Sequence, residues 1–212
     1  MAEYKMIYFP VYGRGESCRM ILAHAKANWE SENIGFEVFG ARKAAGEFIN
    51  GQLPVLMYNG KQYNESTSIL RFLGKKFGYY SADADEAWFA DATVDYINDQ
   101  IGKTYPPIMK KEFTEENLAT FIGLISAVSK HMNKQLVAHG KTFLCGDKMS
   151  TADFHAAAYV MSFVWNKNTT MPEEWSSKAQ AAVAENAAFA AWCDKVKAEL
   201  AEYLEKRLEA AF

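Results

Sequence analysis

The chain is poor in cysteine. Its three, Cys18, Cys145 and Cys193, lie far apart with no C-x-x-C pair. An odd, sparse set builds no disulfide framework and fits a reducing, cytoplasmic setting. No run of about twenty apolar residues occurs, so membrane insertion is not expected, and "MAEYKMIYF" is too short and too polar to read as a signal peptide. Positive charge is in deficit, with 23 Lys and Arg against 26 Asp and Glu and a formal charge of −3. That balance argues against a nucleic-acid binder working through a broad basic surface. The four histidines are scattered, and His131 and His139 lack metal-ligand spacing to any cysteine, so no metal is expected. Internal repeats and low-complexity tails are absent. With half the residues apolar and 23% charged, the chain is expected to fold throughout.

What is present divides into two textures. "YKMIYFP" (residues 4–10) is rich in β-formers and reads as a short strand, "GRGES" as a turn, and "CRMILAHAKA" as a helix with apolar positions at helical spacing. "FEVF" (Phe36 to Phe39) reads as a second strand. "GQLPVLMYNGKQYNES" joins a proline, an apolar run and Asn59-Gly60, the strongest short-range hairpin signal. "STSILRFLGKKFG" then reads as a helix with Ser66 near its N-cap and Gly78 near its end. From Trp88 onward only helical periods appear, with "YPPIM" closing one helix and "TTMPEEW" opening another. The pattern predicts an α/β domain over residues 1–80 and an all-α domain over 86–212, joined near 79–85.

Four places carry candidate chemistry. Pro54 stands at the mouth of the hairpin. It is either an edge-strand opener in the trans form or, if cis, a sharp turn that leaves the backbone of Leu53 free to pair with a guest. Tyr8 ends the first strand just before a helix N-terminus, where anions dock well. Its hydroxyl could donate to a thiolate or an oxyanion; a buried strand aromatic is the other reading. Lowering a thiol from about 8.5 to about 6.5 requires roughly 3 kcal/mol. One charge-assisted hydrogen bond of about 1.5–3 kcal/mol plus a helix-dipole contribution reaches that. Glu65 and Ser66 would suit the ammonium and carboxylate of an amino-acid head group, or Ser66 is a plain helix cap. Ser150 and Asp153 have capping-box spacing ahead of an apolar run and read as structural.

Taken together, these pieces resemble the cytosolic glutathione transferases over nearly the whole chain. "YFPVYGRGES" looks like the Tyr-type N-terminus of the pi and sigma classes, "GQLPVL" with "ES" like their glutathione-binding hairpin, and "GDKMSTAD" like their helix-capping motif. The resemblance implies a thioredoxin-like N-terminal domain, a cis Pro54 and glutathione as co-substrate in a detoxifying homodimer. It makes Tyr8 the donor to the glutathione sulfur, with Arg14 ordering the site. Gln52, Leu53 and Pro54 would hold the middle of the tripeptide, Glu65 and Ser66 its γ-glutamyl head, and Lys43 its glycyl carboxylate. Asp99 would reach the partner subunit's glutathione. Phe9, Val11, Tyr12, Tyr105 and Met109 would wall the pocket for a small hydrophobic electrophile.

The sequence also departs from the family pattern. Phe39 stands where an indole N–H usually binds the glycyl carboxylate, and Glu65 replaces a common glutamine. Asn50 occupies the place of an aromatic dimer contact, which shifts that role to Phe48 or to polar contacts. Cys18 lies inside the first helix rather than at its mouth, which disfavours a cysteine nucleophile. Two other functions remain open at this point. One is a glutathione-dependent isomerase of the prostaglandin-synthase kind. The other is a non-catalytic, transferase-like structural or ligand-binding protein, for which Phe39 is the best support.

Overall fold

The computed structural model describes residues 2–212. Strand β1 (Tyr4–Tyr8) alternates across the sheet, sending Tyr4 and Met6 into the main core and Ile7 to a smaller one on the opposite face. A single 3-10 turn (Gly13–Gly15) leads into α1 (Glu16–His24). Then come β2 (Trp29–Asn33), α2 (Phe36–Ala44), β3 (Val55–Tyr58), β4 (Lys61–Tyr63) and α3 (Ser66–Phe77). The four strands form one mixed sheet in the order β2-β1-β3-β4. β1 and β2 run parallel, with Tyr8 opposite Asn33, while β3 is antiparallel to both β1 and β4. Asn59 and Gly60 have φ of +49° and +72°, both positive as a tight two-residue hairpin turn requires.

The second strand is not where the sequence placed it. Phe36 to Phe39 form the first turn of α2, and β2 is the polar stretch Trp29–Asn33. β2 is an edge strand, half exposed and paired on one side, so its strand character comes from β1 rather than from its own composition. The aromatic residues of "FEVF" serve a helix face instead. Phe36 and Phe39, three apart, both lie against Phe9, with ring centroids at 4.6 and 5.2 Å.

The rest of the described chain is helical: α4 (Ala84–Met109), α5 (Glu115–His139), α6 (Thr151–Phe163), α7 (Glu173–Ala184), α8 (Ala187–Glu199) and α9 (Ala201–Lys206). Every residue of α6 is buried, as befits a helix that packs against α1, α3, α4 and α8. The prolines of "YPPIM" do not close α4, which runs through Pro106 and Pro107 to Met109. They sit in its last turns. The carbonyls they fail to satisfy belong to Gly102 and Lys103, both exposed and open to water. No helix among the described residues is long and apolar enough to cross a membrane.

Buried polar groups tie these layers together. Asp153 is fully buried: its Oδ2 accepts from Ser150 N and Oγ at 2.8 and 2.7 Å. Its Oδ1 accepts from Leu144 N at 2.9 Å and Trp192 Nε1 at 2.8 Å. Burial pushes this carboxyl pKa up while the four hydrogen bonds pull it down. One side chain thus caps α6 and joins α8 to it. Between the sheet half and the helical half, α3 meets α6 at Gly74, where an added Cβ would stand 2.3 Å from Thr151 Cγ2. His155 of α6 shares a hydrogen bond with Ser17 of α1 at 3.1 Å.

Burial lowers the His155 pKa to about 3. An unfolded histidine titrates near 6.5, so between these values the unfolded chain takes up a proton that the folded chain refuses. Stability should therefore fall as pH drops from about 6.5 towards about 3, by up to about 1.4 kcal/mol per unit from this residue. Urea unfolding across that range should show a shallower slope in His155→Gln than in the parent. Parallel slopes would mean that His155 does not report on this joint.

Candidate active site

The end of β1, the start of α3 and the loop before β3 meet around a cavity of about 550 Å³. Of the residues named from the sequence, Phe9, Arg14, Phe39, Lys43, Gln52, Leu53, Pro54, Glu65 and Ser66 line it, and Asn50, Gly51 and Asn64 complete it. The Leu53-Pro54 peptide bond is cis. Because β3 begins at Val55, the N–H and C=O of Leu53 lie outside the strand ladder.

Across the cavity, Glu65 holds φ at +64°, in the left-handed region that a residue with a side chain occupies only when its surroundings enforce it. Its Oε1 accepts from Asn50 Nδ2 at 3.2 Å. Ser66 is the first residue of α3 rather than its N-cap, so the unpaired N–H groups and positive dipole end of that helix border the cavity. Lys43, in the last turn of α2, crosses above Gly51, where a Cβ would meet Lys43 Cε at 3.1 Å, and its Nζ stands 5.7 Å from the Phe39 ring. The walls therefore offer one cationic end, one end able to take both an ammonium and a carboxylate, and a free backbone edge between them. That suits an extended, zwitterionic peptide-like guest.

Tyr8 sits beside this cavity, 7% exposed, and its hydroxyl oxygen accepts the backbone N–H of Arg14 at 3.1 Å. Glycine makes the approach possible. A Cβ at Gly13 would lie 2.7 Å from Tyr8 Oη, and one at Gly15 2.8 Å from Tyr8 Cδ1. Burial raises the phenol pKa more than the Arg14 N–H and the charges of Arg19 and Arg14 lower it, so the hydroxyl keeps its proton at neutral pH. With its oxygen already accepting, that proton is available to donate. Tyr105 Oη also converges above Gly13, 3.1 Å from the same Cβ position. The Arg14 guanidinium is held by Asn98 of α4, Nη1 to Oδ1 at 3.0 Å.

The loop behind Tyr8 is clamped from inside. Arg19, 3% exposed, donates to the carbonyls of Val11 at 2.7 Å and Phe9 at 3.3 Å and to Asn33 Oδ1 at 3.0 Å. Buried Glu16 lies 3.5 Å from Arg19 and 3.0 Å from Arg207, and Tyr203 donates to it at 3.0 Å. Cys18 is buried, its pKa is pushed up to about 12 by that burial, and its thiol points at the Ser66 carbonyl 3.5 Å away. It is no nucleophile.

Other expected site residues lie elsewhere. Val11 contributes its carbonyl to Arg19. Tyr12 is buried beneath Arg207, 3.9 Å from guanidinium to ring, and borders a separate depression with Trp165 and Leu204. Met109 is exposed at the end of α4. Asp99, next to Asn98, is exposed and does not line the cavity of its own chain. Phe48 is buried against Ile7 and Val55, so it offers no surface to a partner; neighbouring Ile49, 71% exposed, does. The sequence reading missed Asn64, Asn98, Arg19, Glu16 and Arg207. Only the charged pair Glu16 and Arg19, three apart in α1, left a local trace.

A sequence profile of the glutathione S-transferase C-terminal domain matches residues 89–207. Probable glutathione S-transferase 7 of Caenorhabditis elegans is 30% identical over 201 residues, 92% of this chain and 97% of its own. Among solved structures, monomeric Na-GST-3, a glutathione S-transferase from the hookworm Necator americanus, is 26% identical with a TM-score of 0.82 over 100% of both chains. Prostaglandin synthase D of Nilaparvata lugens is 26% identical with a TM-score of 0.74 over 96% of this chain and 98% of that one.

The glycine turn under Tyr8 is directly testable. Gly15→Ala should drive a methyl into the Tyr8 ring and cost about 1–3 kcal/mol in urea unfolding. Gly40→Ala in α2, where a Cβ meets nothing within 4 Å, should be neutral or stabilising. Equal behaviour of the two would show that the ring does not rest on this turn.

Proposed function

The chain belongs to the glutathione S-transferase family, and on that footing we propose that it conjugates the glutathione thiolate to small hydrophobic electrophiles, with Tyr8 as the group that holds the thiolate. The observation that carries the reading is the Tyr8 hydroxyl, protonated, fixed by the Arg14 N–H and set beside a cavity with the polarity of the tripeptide.

In this reading the γ-glutamyl carboxylate meets the Ser66 hydroxyl and the α3 N-terminus, and its ammonium meets Glu65. The cysteinyl backbone pairs with Leu53 beside Pro54 and Gln52, and the glycyl carboxylate faces Lys43. Phe39 closes that end without a donor, so Lys43 carries the carboxylate contact alone. The sulfur then lies toward Tyr8, whose hydrogen bond grows as charge develops and so favours the anion over the thiol. Arg14, held by Asn98, adds positive charge nearby. The electrophile enters on the side of Phe9 and Tyr105. The thiolate attacks its electron-poor carbon, a C–S bond forms and the leaving group departs with the electron pair. No metal takes part.

The reading extends to a Tyr-type enzyme close to the pi and sigma classes. It has a glutathione-binding unit over residues 1–80 and a helical unit over 86–212, works in the cytoplasm and pairs as a homodimer in which Asp99 serves the partner's site. Sedimentation of the purified chain tests the last point, since Na-GST-3 is described as monomeric. The likeness to prostaglandin synthase D supports a second reading, glutathione-dependent isomerisation, which uses the same thiolate. Assaying endoperoxide isomerisation beside aryl-halide conjugation separates the two.

Tyr8→Phe should lower aryl-halide conjugation about tenfold or more, matching the roughly 1–3 kcal/mol of one hydrogen bond to a charged group. In the parent, ultraviolet thiolate absorbance of bound glutathione should titrate with a midpoint below the ordinary thiol value of about 8.5, and activity should be present above this lowered midpoint and lost as pH falls through it. The variant should shift both curves upward. An unchanged rate together with an unshifted titration would remove Tyr8 from the mechanism.

A further inference from the structure

Helix α4 meets two arginines of the N-terminal half along one stripe. Asp91, Asp95, Asn98 and Gly102 follow one another at helical spacing and so share a face. The two carboxylates take Arg71 of α3: Asp91 Oδ1 accepts from its Nε at 2.6 Å and Asp95 Oδ1 from its Nη2 at 2.7 Å. One turn further on, the stripe takes Arg14, but there it offers an amide. Asn98 Oδ1 accepts from Arg14 Nη1 at 3.0 Å, and a Cβ at Gly102 would stand 3.9 Å from Nη2. The guanidinium thus rests where the helix carries no side chain.

Arg19, Arg42, Arg71 and Arg207 each pair with a carboxylate. Among the described residues, Arg14 is the one arginine that does not. Nearby charges leave it so. Glu16 is shared by Arg19 and Arg207, Asp95 is taken by Arg71, and Asp99, next to Asn98, is exposed and forms no ion pair with Arg14. Lys43 and Glu65 line the same cavity as Arg14. The uncompensated charge reaches the end where Tyr8 stands. Burial holds the phenols of Tyr8 and Tyr105 up, and the Arg14 charge acts against it at both; burial keeps His155 of α6 neutral, and Arg14 adds to that.

An amide oxygen orients a guanidinium N–H as a carboxylate does, but it adds no charge. A carboxylate in its place would form a neutral pair with Arg14, and the field of such a pair is weak beyond its own atoms. We propose that Asn98 is a positioning residue for the thiolate step: it holds Arg14 without neutralising it, so the guanidinium keeps its charge for the anion that forms beside Tyr8. The proposal rests on the glutathione reading of this cavity. Because Arg14 is exposed, water screens the effect and its size is modest.

The test compares the parent with Asn98→Asp, which keeps an acceptor and adds a charge, and Asn98→Ala, which removes the acceptor and adds none. Two probes are titrated by calorimetry: glutathione sulfonate, with a fixed anion at the sulfur position, and S-methylglutathione, which has none there. Asn98→Asp should lower the affinity ratio of sulfonate to thioether about threefold or more, while Asn98→Ala stays within about twofold of the parent. The midpoint of the bound glutathione thiol should rise in Asn98→Asp by about half a pH unit, the same threefold. Urea unfolding checks that both variants fold. A purely structural role predicts the opposite order, since Ala loses the hydrogen bond and Asp keeps it. Equal ratios in all three proteins, or a larger loss in Asn98→Ala, would overturn the proposal. A parent that binds neither probe would overturn the glutathione reading and the proposal with it. A parent that shows the Asp-specific loss but conjugates no aryl halide would count against the catalytic reading alone.

Discussion

Glu16 is a fully buried carboxylate set between two buried guanidiniums, and the placement of Tyr8 depends on it. The segment from Phe9 to Tyr12 leaves β1 with its carbonyls turned inward, where no strand can pair them. Buried carbonyls without partners are costly, and Arg19 meets them with hydrogen bonds to Phe9 and Val11. A lone buried guanidinium would be costlier still, so Glu16 compensates it, and Arg207 and Tyr203 from the far end of the chain complete the set. Desolvating such a network is expensive. It is kept because it fixes a loop that has no regular structure of its own.

From that loop the geometry of the candidate site follows in short steps. The clamped carbonyls set where β1 ends, so Tyr8 is delivered onto the glycine turn at a fixed height. The turn returns the N–H of Arg14 to the Tyr8 oxygen, and α4 fixes the other end of Arg14 through Asn98. The opposite wall is held by similar means: Gln62 donates to the Glu47 carbonyl at 2.6 Å and accepts from Ile49 N at 3.2 Å, steadying the loop that ends at Pro54. Polar side chains, rather than packing, shape this region. α2, which borders it, buries none of its residues.

Some of this was legible in the chain because the information is local. Asn59-Gly60 specified its turn through the positive φ that both positions adopt. Pro54, Glu65 and Ser66 announced themselves by residue type and order, and Ser150 with Asp153 by spacing. The long helices stood out by period. Other features were illegible for equally physical reasons. Trp29–Asn33 shows no apolar alternation because, as a largely exposed edge strand, it places polar Ser31 and Asn33 on its inner face and Glu30 and Glu32 on the other. "FEVF" looks like a strand because aromatic residues favour sheets, yet two of its rings are needed on one side of a helix. Tyr12 and Phe48 resemble surface-site residues by position but are drawn inside, one beneath Arg207 and the other against the thin second core.

By itself, the sequence determined the α/β character of the first part and the helical character of the rest, the hairpin and most helices, and the residue types gathered around the candidate site, but not β2 or α2. These depend on turn propensity, capping and hydrophobic period, each of which acts over a few residues. Only the tertiary structure decided which charges meet: Glu16 with Arg207, Arg14 with Asn98, Asn50 with Glu65. It also decided that Trp29, Ser31 and Asn33, on the main-core face of the edge strand β2, border a depression between α1 and the C-terminal segment. Burial creates the need for a partner, and the partner is whichever group the fold brings within about 3 Å. No local pattern along the chain records that choice.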